Sequence, residues 1–187
     1  MLPDFFWQET ENAHAPVGGL APLRWSPDVS ISFMDDASID VAVVSLSTPG
    51  VDTGDSVKVR TLARRCNEFA AELRRVRPDR FASLACLPLP DVDASLSELA
   101  YALDVLELDG VALFTNANGV YLGDAGLEPV FEELERRQAV VFVHPNPSPD
   151  AAAHALDCPT TCWTFRRTPI ALSRRCTTRT GSHAHRV

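Results

Sequence analysis

The segment VVFVHPNPSPD, residues 140 to 150, runs apolar positions straight into His144 and then into a proline-broken loop. An imidazole at the end of an apolar strand is either a satisfied neighbour of the core or a ligand, because a neutral ring keeps one nitrogen lone pair for a proton or a metal. Other clusters of reactive side chains carry weaker chemistry. Cys158 and Cys162 have a C-x-x-x-C spacing with no second pair, which disfavours a zinc finger, and the odd total of five cysteines reads as reduced thiols. Glu132, Glu133 and Glu135 stand beside Arg136 and Arg137, the composition of a solvated helix face and not of an enclosed acid–base pair. Gly18-Gly19 lacks a G-x-G-x-x-G context and reads as a turn.

Whether His144 points at anything depends on the elements around it. IDVAVVSLS, from residue 39, reads as a buried strand closed by a loop. The period then changes, and Leu62, Cys66, Phe69, Leu73 and Val76 form one stripe of a helix that Arg77-Pro78 ends. FASLACLPL, from residue 81, is the next strand. Asp93 is placed to cap the helix that carries Leu96, Leu99, Leu103 and Leu106. GVALFTN, from residue 110, is a third strand, and Pro129 suits the first turn of a helix carrying Val130, Phe131 and Leu134. QAVVFVH, from residue 138, is the fourth strand.

Strands alternating with helices predict an α/β fold with a parallel sheet. In such folds the C-terminal ends of the strands hold the ligand, and here those ends carry Ser45 and Ser47, Thr115 and Asn116, and His144. The composition excludes several classes. With 45% apolar and 22% charged residues, the 187-residue chain is that of a soluble globular protein. No apolar run reaches the roughly 20 residues of a membrane span, and MLPDFFWQE lacks the regions of a signal peptide, so a cytoplasmic protein is expected. A net charge of -8 argues against a nucleic-acid partner.

Three longer stretches carry a resemblance: WSPDVSISFMDDASIDVAVVSLSTPG, ARRCNEFAAELRRVRPDRFASLACLPLPDVDASLSELAYALD and DGVALFTNANGVYLGDAGLEPVFEELERRQAVVFVHP. Together they resemble the metal-dependent amidohydrolase-related family that contains aminocarboxymuconate-semialdehyde decarboxylase. CNEFAAEL, PDRFASLACLPLPD and TN-x-x-GVYLGD are most similar to its 6-methylsalicylate decarboxylases. The resemblance implies a (β/α)8 TIM barrel with Zn2+, or another divalent metal, at its C-terminal mouth. About the first half of that barrel is expected here, because four strand units fall short of the roughly 250 residues such a barrel takes. The family's His-x-His ligand pair precedes a segment like LPDFF, which here directly follows Met1, so that pair is absent. A third histidine ligand matches His144. Asn116, in the matched TN word, is implied as a substrate-binding residue; Ser45, Thr48 and Tyr121 lie near the same mouth. His14 falls in a variable segment and reads as a surface residue.

The implied activity is non-oxidative decarboxylation of an ortho-hydroxy aromatic acid such as 6-methylsalicylate. A metal that grips carboxylate and ortho oxygen orients the ring, while an acid protonates the ring carbon that loses CO2. The family's proton-donating aspartate and a further histidine come from its C-terminal half and have no matching position, so no catalytic residue is assigned. The alternatives are a metal-dependent hydrolase of the same superfamily and a non-catalytic fragment. The implied partners are a small aromatic carboxylic acid and a second copy in a homodimer.

From Cys162 the texture changes. Residues 162–187 hold no strand or helix period and concentrate Arg, Thr and Cys. Dropping two bases from the Cys162 codon converts Cys-Trp-Thr to Leu-Asp and permits, by choice of wobble bases, a continuation of the family's next strand and helix. Residues 1–161 are therefore expected to form the partial barrel, with an irregular C-terminal tail produced by a frame disruption. His183 and His185 in that tail are read as accidental and not as substitute ligands.

Overall fold

Helices and strands alternate as the changing apolar period predicts. The computed structural model describes residues 1–10, 25–52 and 54–146. Two helices, α1 (Asp4–Glu9) and α2 (Pro27–Asp36), precede β1 (Ala42–Val44), α3 (Ser56–Val76), β2 (Phe81–Cys86), α4 (Val92–Ala100) and β3 (Gly110–Phe114). A small hairpin of β4 (Asn116–Ala117) and β5 (Val120–Tyr121) follows, then α5 (Glu128–Arg136) and β6 (Val141–His144). The strands β1, β2, β3 and β6 lie side by side in that order, every neighbouring pair parallel. They form half of an eight-stranded (β/α) barrel, with a helical crossover between each pair of strands.

Alternation along the strands decides what faces what. Val111 and Leu113 of β3 pack with Leu99, Val130 and Leu134 of the helices, and Val141 and Val143 of β6 lie against the same cluster. On the other side of the chain, Ala42 and Val44 of β1 pack against Met34, Leu73 and Phe81. Between them, Ser83 donates its hydroxyl to the Ala70 carbonyl of α3 at 3.2 Å. The remaining positions, Val43 on β1, Ala112 and Phe114 on β3, and Phe142 and His144 on β6, therefore share the opposite, inner face of the half-barrel.

The structure corrects four expectations. The strand read over IDVAVVSLS pairs only at Ala42–Val44, and Ile39, Val41 and Val43 are exposed, because β1 has a hydrogen-bonded neighbour on one side only among the described residues. Asp91, not Asp93, caps α4: its extended backbone lets the carboxylate accept the Ala94 amide at 3.0 Å, whereas Asp93 already lies within the first turn. Val76, the last residue of the 21-residue helix, is exposed, and the buried stripe of α3 runs instead from Val59 to Leu73. The leucine-rich helix also gives way to a π turn over Tyr101–Val105, which buries Ala102 fully and leaves Leu103 and Leu106 partly covered.

The acidic face of α5 is solvated as expected. Glu132 and Glu135 are exposed, while Glu133 accepts from both Arg136 (2.7 Å) and Arg137 (2.6 Å). Arg137 also grips Asp104 with two bonds, tying α5 to the π turn. The Arg136 and Arg137 hydrogen bonds hold the Glu133 carboxyl down from 4.5 to about 2. A depressed carboxyl stabilises the fold above its ordinary value and stops doing so as pH falls through the depressed one. Glu133→Gln is therefore expected to lower the urea midpoint at neutral pH, and the gap to the parent should close as pH falls from about 4.5 to about 2. Urea titrations across that range check it; a gap that persists at the acid end contradicts the assignment.

Candidate active site

Residue by residue, the site is built at the C-terminal ends of β3 and β6. The register sets Phe114 opposite His144, and the two rings meet edge-on with centroids 5.4 Å apart. Phe142 lies on the same face, 6.4 Å from the imidazole centroid. His144 Nδ1 stands 2.7 Å from the Pro145 carbonyl oxygen. That contact is a hydrogen bond only when Nδ1 carries the proton, which leaves the lone pair on Nε2. A neutral imidazole in this tautomer is the form that binds a metal or accepts a proton.

Just past the strand ends, Asn146 ties the end of β6 to the end of β3. Its amide donates to Thr115 Oγ1 at 2.9 Å, and its side-chain Nδ2 donates to the Asn116 carbonyl at 3.1 Å. Asn116 Nδ2 in turn donates to the Asn146 carbonyl at 3.4 Å, and the Thr115 amide donates to the His144 carbonyl at 3.0 Å. Thr115 and Asn116 are buried, so these bonds satisfy groups that would otherwise be costly to remove from water. Asn146 was not singled out from the sequence. The signal available was an asparagine between two prolines immediately after a strand, a position where its side chain commonly bonds nearby backbone.

The predicted residues are gathered in part. His144 and Asn116 come together through Thr115 and Asn146. Tyr121 lies half-buried on β5, paired opposite Asn116. Ser45 and Thr48 follow β1, which two intervening strands separate from β6; the Ser45 carbonyl accepts the Met1 amine at 2.8 Å. Burial lowers the pKa of that amine. Gly50, in the left-handed region at φ 77°, brings the loop after β1 onto Phe114, where a Cβ would sit 2.8 Å from the ring. The hollow enclosed here is about 30 Å³, lined by Gly50, Val51, Leu87, Phe114, Asn116 and Asn146. That is room for about one water, not for an aromatic acid. His14, Gly18-Gly19, Cys158, Cys162, His183, His185 and the boundary at residue 161 lie outside the described residues.

Donor chemistry tests whether a divalent metal fits. Among the described residues no group of three or more His, Cys, Asp or Glu stands close enough to hold an ion. The described thiols do not help: Cys66 and Cys86 are buried, and the hydrogen bond from Cys66 together with burial pushes the Cys86 thiol well up. These residues fit an ion with one ligand, His144, and do not make a complete site.

Comparison with known proteins agrees with this geometry. A protein-family model described as amidohydrolase matches residues 7–173. The chain is 41% identical over 135 residues to the decarboxylase macB of Penicillium terrestre, covering 68% of this chain and 40% of that one. It is 35% identical over 154 residues to a 6-methylsalicylic acid decarboxylase of Aspergillus aculeatus, covering 80% and 47%. A crystal structure of an amidohydrolase II superposes with a TM-score of 0.74 at 34% identity, covering 78% of this chain and 48% of that one. The 5-carboxyvanillate decarboxylase of Novosphingobium aromaticivorans, solved with manganese and 4-hydroxy-3-methoxy-5-nitrobenzoic acid, gives 0.63 at 31% identity, covering 66% and 35%. The chain thus spans less than half the length of each of these relatives. No described helix is long and apolar enough to cross a membrane. With a parallel half-barrel, a histidine at its rim and a family match over most of its length, this chain belongs to the amidohydrolase family.

Proposed function

We propose that this chain carries part of the active site of a cytoplasmic, divalent-metal-dependent decarboxylase acting without an oxidant on a small ortho-hydroxy aromatic acid of the 6-methylsalicylate kind. The observation that carries the reading is His144. It ends the last described strand, faces the inside of the half-barrel, and stands with Nδ1 2.7 Å from the Pro145 carbonyl oxygen, a contact that in the neutral ring leaves Nε2 as the free nitrogen. Relatives whose names give decarboxylation of hydroxylated aromatic acids support the reaction class. Zinc is the proposed ion, since it takes imidazole nitrogen readily; manganese, present in the Novosphingobium enzyme, is the alternative. Because one ligand is not a site, no chemical step is assigned to the ion.

What the chain's own residues do is narrower. His144 supplies a neutral nitrogen at the rim, and the Thr115–Asn116–Asn146 bonds keep β6 from sliding against β3, which fixes where that nitrogen stands. Phe114 and Phe142 give the inner face an aromatic wall beside it, suited to the ring of an aromatic acid. No described residue is assigned as the donor to the ring carbon, and by this reading the 187-residue chain alone turns over no substrate.

Two measurements test the proposal. Zinc titration of the purified chain should show binding that His144→Ala weakens at least about tenfold, the scale seen on disturbing even the supporting residues of metal sites. A chimera in which this chain replaces the matching half of the Aspergillus aculeatus enzyme should release 3-methylphenol and CO2 from 6-methylsalicylate, and lose that activity with the same substitution. A folded chimera that is inactive, or one indifferent to residue 144, overturns the reading.

A further inference from the structure

We propose that the small hollow beside Phe114 seats a methyl group carried by the aromatic acid at the ring position next to its carboxylate, so that this chain selects a methylated ring over one with hydrogen or hydroxyl there. The inference rests on the decarboxylase reading and deepens it. Three stretches of chain meet at the hollow: the loop after β1 brings Val51, the segment after β2 brings Leu87 and Leu89, and β3 brings Ala112 and Phe114. Gly50 keeps it small, since at φ 77° its loop lies so close on the Phe114 ring that a Cβ would sit 2.8 Å away. The volume of about 30 Å³ admits one group of about the size of a water or a methyl.

The walls decide between those two. A buried water makes about three hydrogen bonds. The amide nitrogens on the lining are already engaged: Asn146 Nδ2 donates to the Asn116 carbonyl at 3.1 Å, and Asn116 Nδ2 donates to the Asn146 carbonyl at 3.4 Å. Asp52, which is exposed, accepts the Gly54 amide at 3.1 Å. The side chains of Val51, Leu87, Leu89 and Ala112 are buried and apolar. A methyl group entering among them leaves water without giving up a hydrogen bond, whereas a hydroxyl exchanges its water for carbon. Position supplies the second argument. Phe114 belongs both to the hollow and to the aromatic wall beside His144, its ring centroid 5.4 Å from that of the imidazole. When the acid lies against this wall with its carboxylate toward His144, the adjacent ring position is the one held nearest Phe114, and its substituent is the one that reaches the hollow.

Binding to the 187-residue chain tests the seat without metal or turnover. 3-Methylphenol, the product of the proposed reaction, should bind about tenfold more tightly than phenol, the scale of one carbon in an apolar pocket, and its methyl protons should show nuclear Overhauser contacts to Val51 and Leu87. Ala112→Val fills the hollow and should bring that ratio to about one. Val51→Ala widens it and should raise the affinity for 3-ethylphenol relative to 3-methylphenol about tenfold. If Ala112→Val does not fold, Val51→Ala and the contacts in the parent chain decide. In the chimera with the Aspergillus aculeatus enzyme, kcat/KM for 6-methylsalicylate should exceed that for salicylate by the same factor. A chimera that turns over both acids equally well leaves the decarboxylase reading standing and overturns the seat; a folded chimera without activity overturns that reading, while the phenol contacts still decide the seat. No binding of either phenol, equal affinity for the two, methyl contacts to other residues, or a ratio unmoved by Ala112→Val overturns the proposal.

Discussion

Asn67→Ala is expected to destabilise the fold by about 3–5 kcal/mol, because it strands buried groups on two elements at once. Asn67 is 1% exposed, on the inner stripe of α3. Its side-chain oxygen accepts the Cys86 amide at 2.8 Å, while its Nδ2 donates to the Cys86 carbonyl at 2.9 Å and to Glu98 Oε1 at 2.8 Å. One amide thus acts as a neighbouring strand for the end of β2 and as a partner for a carboxylate that is 4% exposed. Arg64 satisfies the other Glu98 oxygen at 2.8 Å and lies over the Tyr101 ring, 3.7 Å from its centroid. Alanine leaves the Cys86 backbone and one Glu98 oxygen without these partners. Asn67→Asp separates the contributions: it keeps an acceptor for the Cys86 amide but sets a second carboxylate against Glu98. Its cost should exceed that of alanine at neutral pH and shrink on acidification. Urea unfolding with an unchanged slope is the measurement, and a loss under about 1 kcal/mol for the alanine variant would refute the network's importance.

Gly110→Ala is expected to cost about 3 kcal/mol, although it adds a single methyl group. Gly110 opens β3, where a Cβ would lie 2.5 Å from the Val140 carbonyl oxygen, 2.9 Å from Val140 Cβ and 3.0 Å from Leu84 Cδ2. A flexible side chain could yield, but the nearest atom is backbone, and that oxygen already accepts the Val111 amide at 2.8 Å. Relieving the clash means moving β3 and β6 apart, which disturbs the pairing that carries His144. Gly126→Ala is the control. A Cβ there meets only the Asp124 side chain at 3.1 Å, so its cost should stay below about 1 kcal/mol. Thermal and urea unfolding of the pair should differ accordingly; equal costs would show that β3 and β6 separate more freely than their register implies.

Much of the architecture follows from local pattern. A change of apolar period from strand to helix is a property of neighbouring residues, and it marks β2, α3, β3, α5 and β6 as well as the strand end at which His144 stands. It also places Asn116 at the rim. Asn67 and Glu98 escaped that pattern because a polar residue within a buried stripe looks like a lapse in periodicity until its partners, from elements 19 and 31 residues away in the chain, are brought beside it. Asp91 and Asp93 suit a cap equally by residue type, and only the backbone course after Pro90 distinguishes them.

Residue order alone was enough for the alternation of strands and helices, for the parallel sheet, and for a histidine at a strand terminus, since each depends on contacts within a few residues. Which face of β6 that histidine occupies and how Asn146 ties it to β3 arose only when strands distant in the chain took up their register. A period of two permits either face equally; packing of Val141 and Val143 against the helices removes that freedom and turns His144 toward the inside.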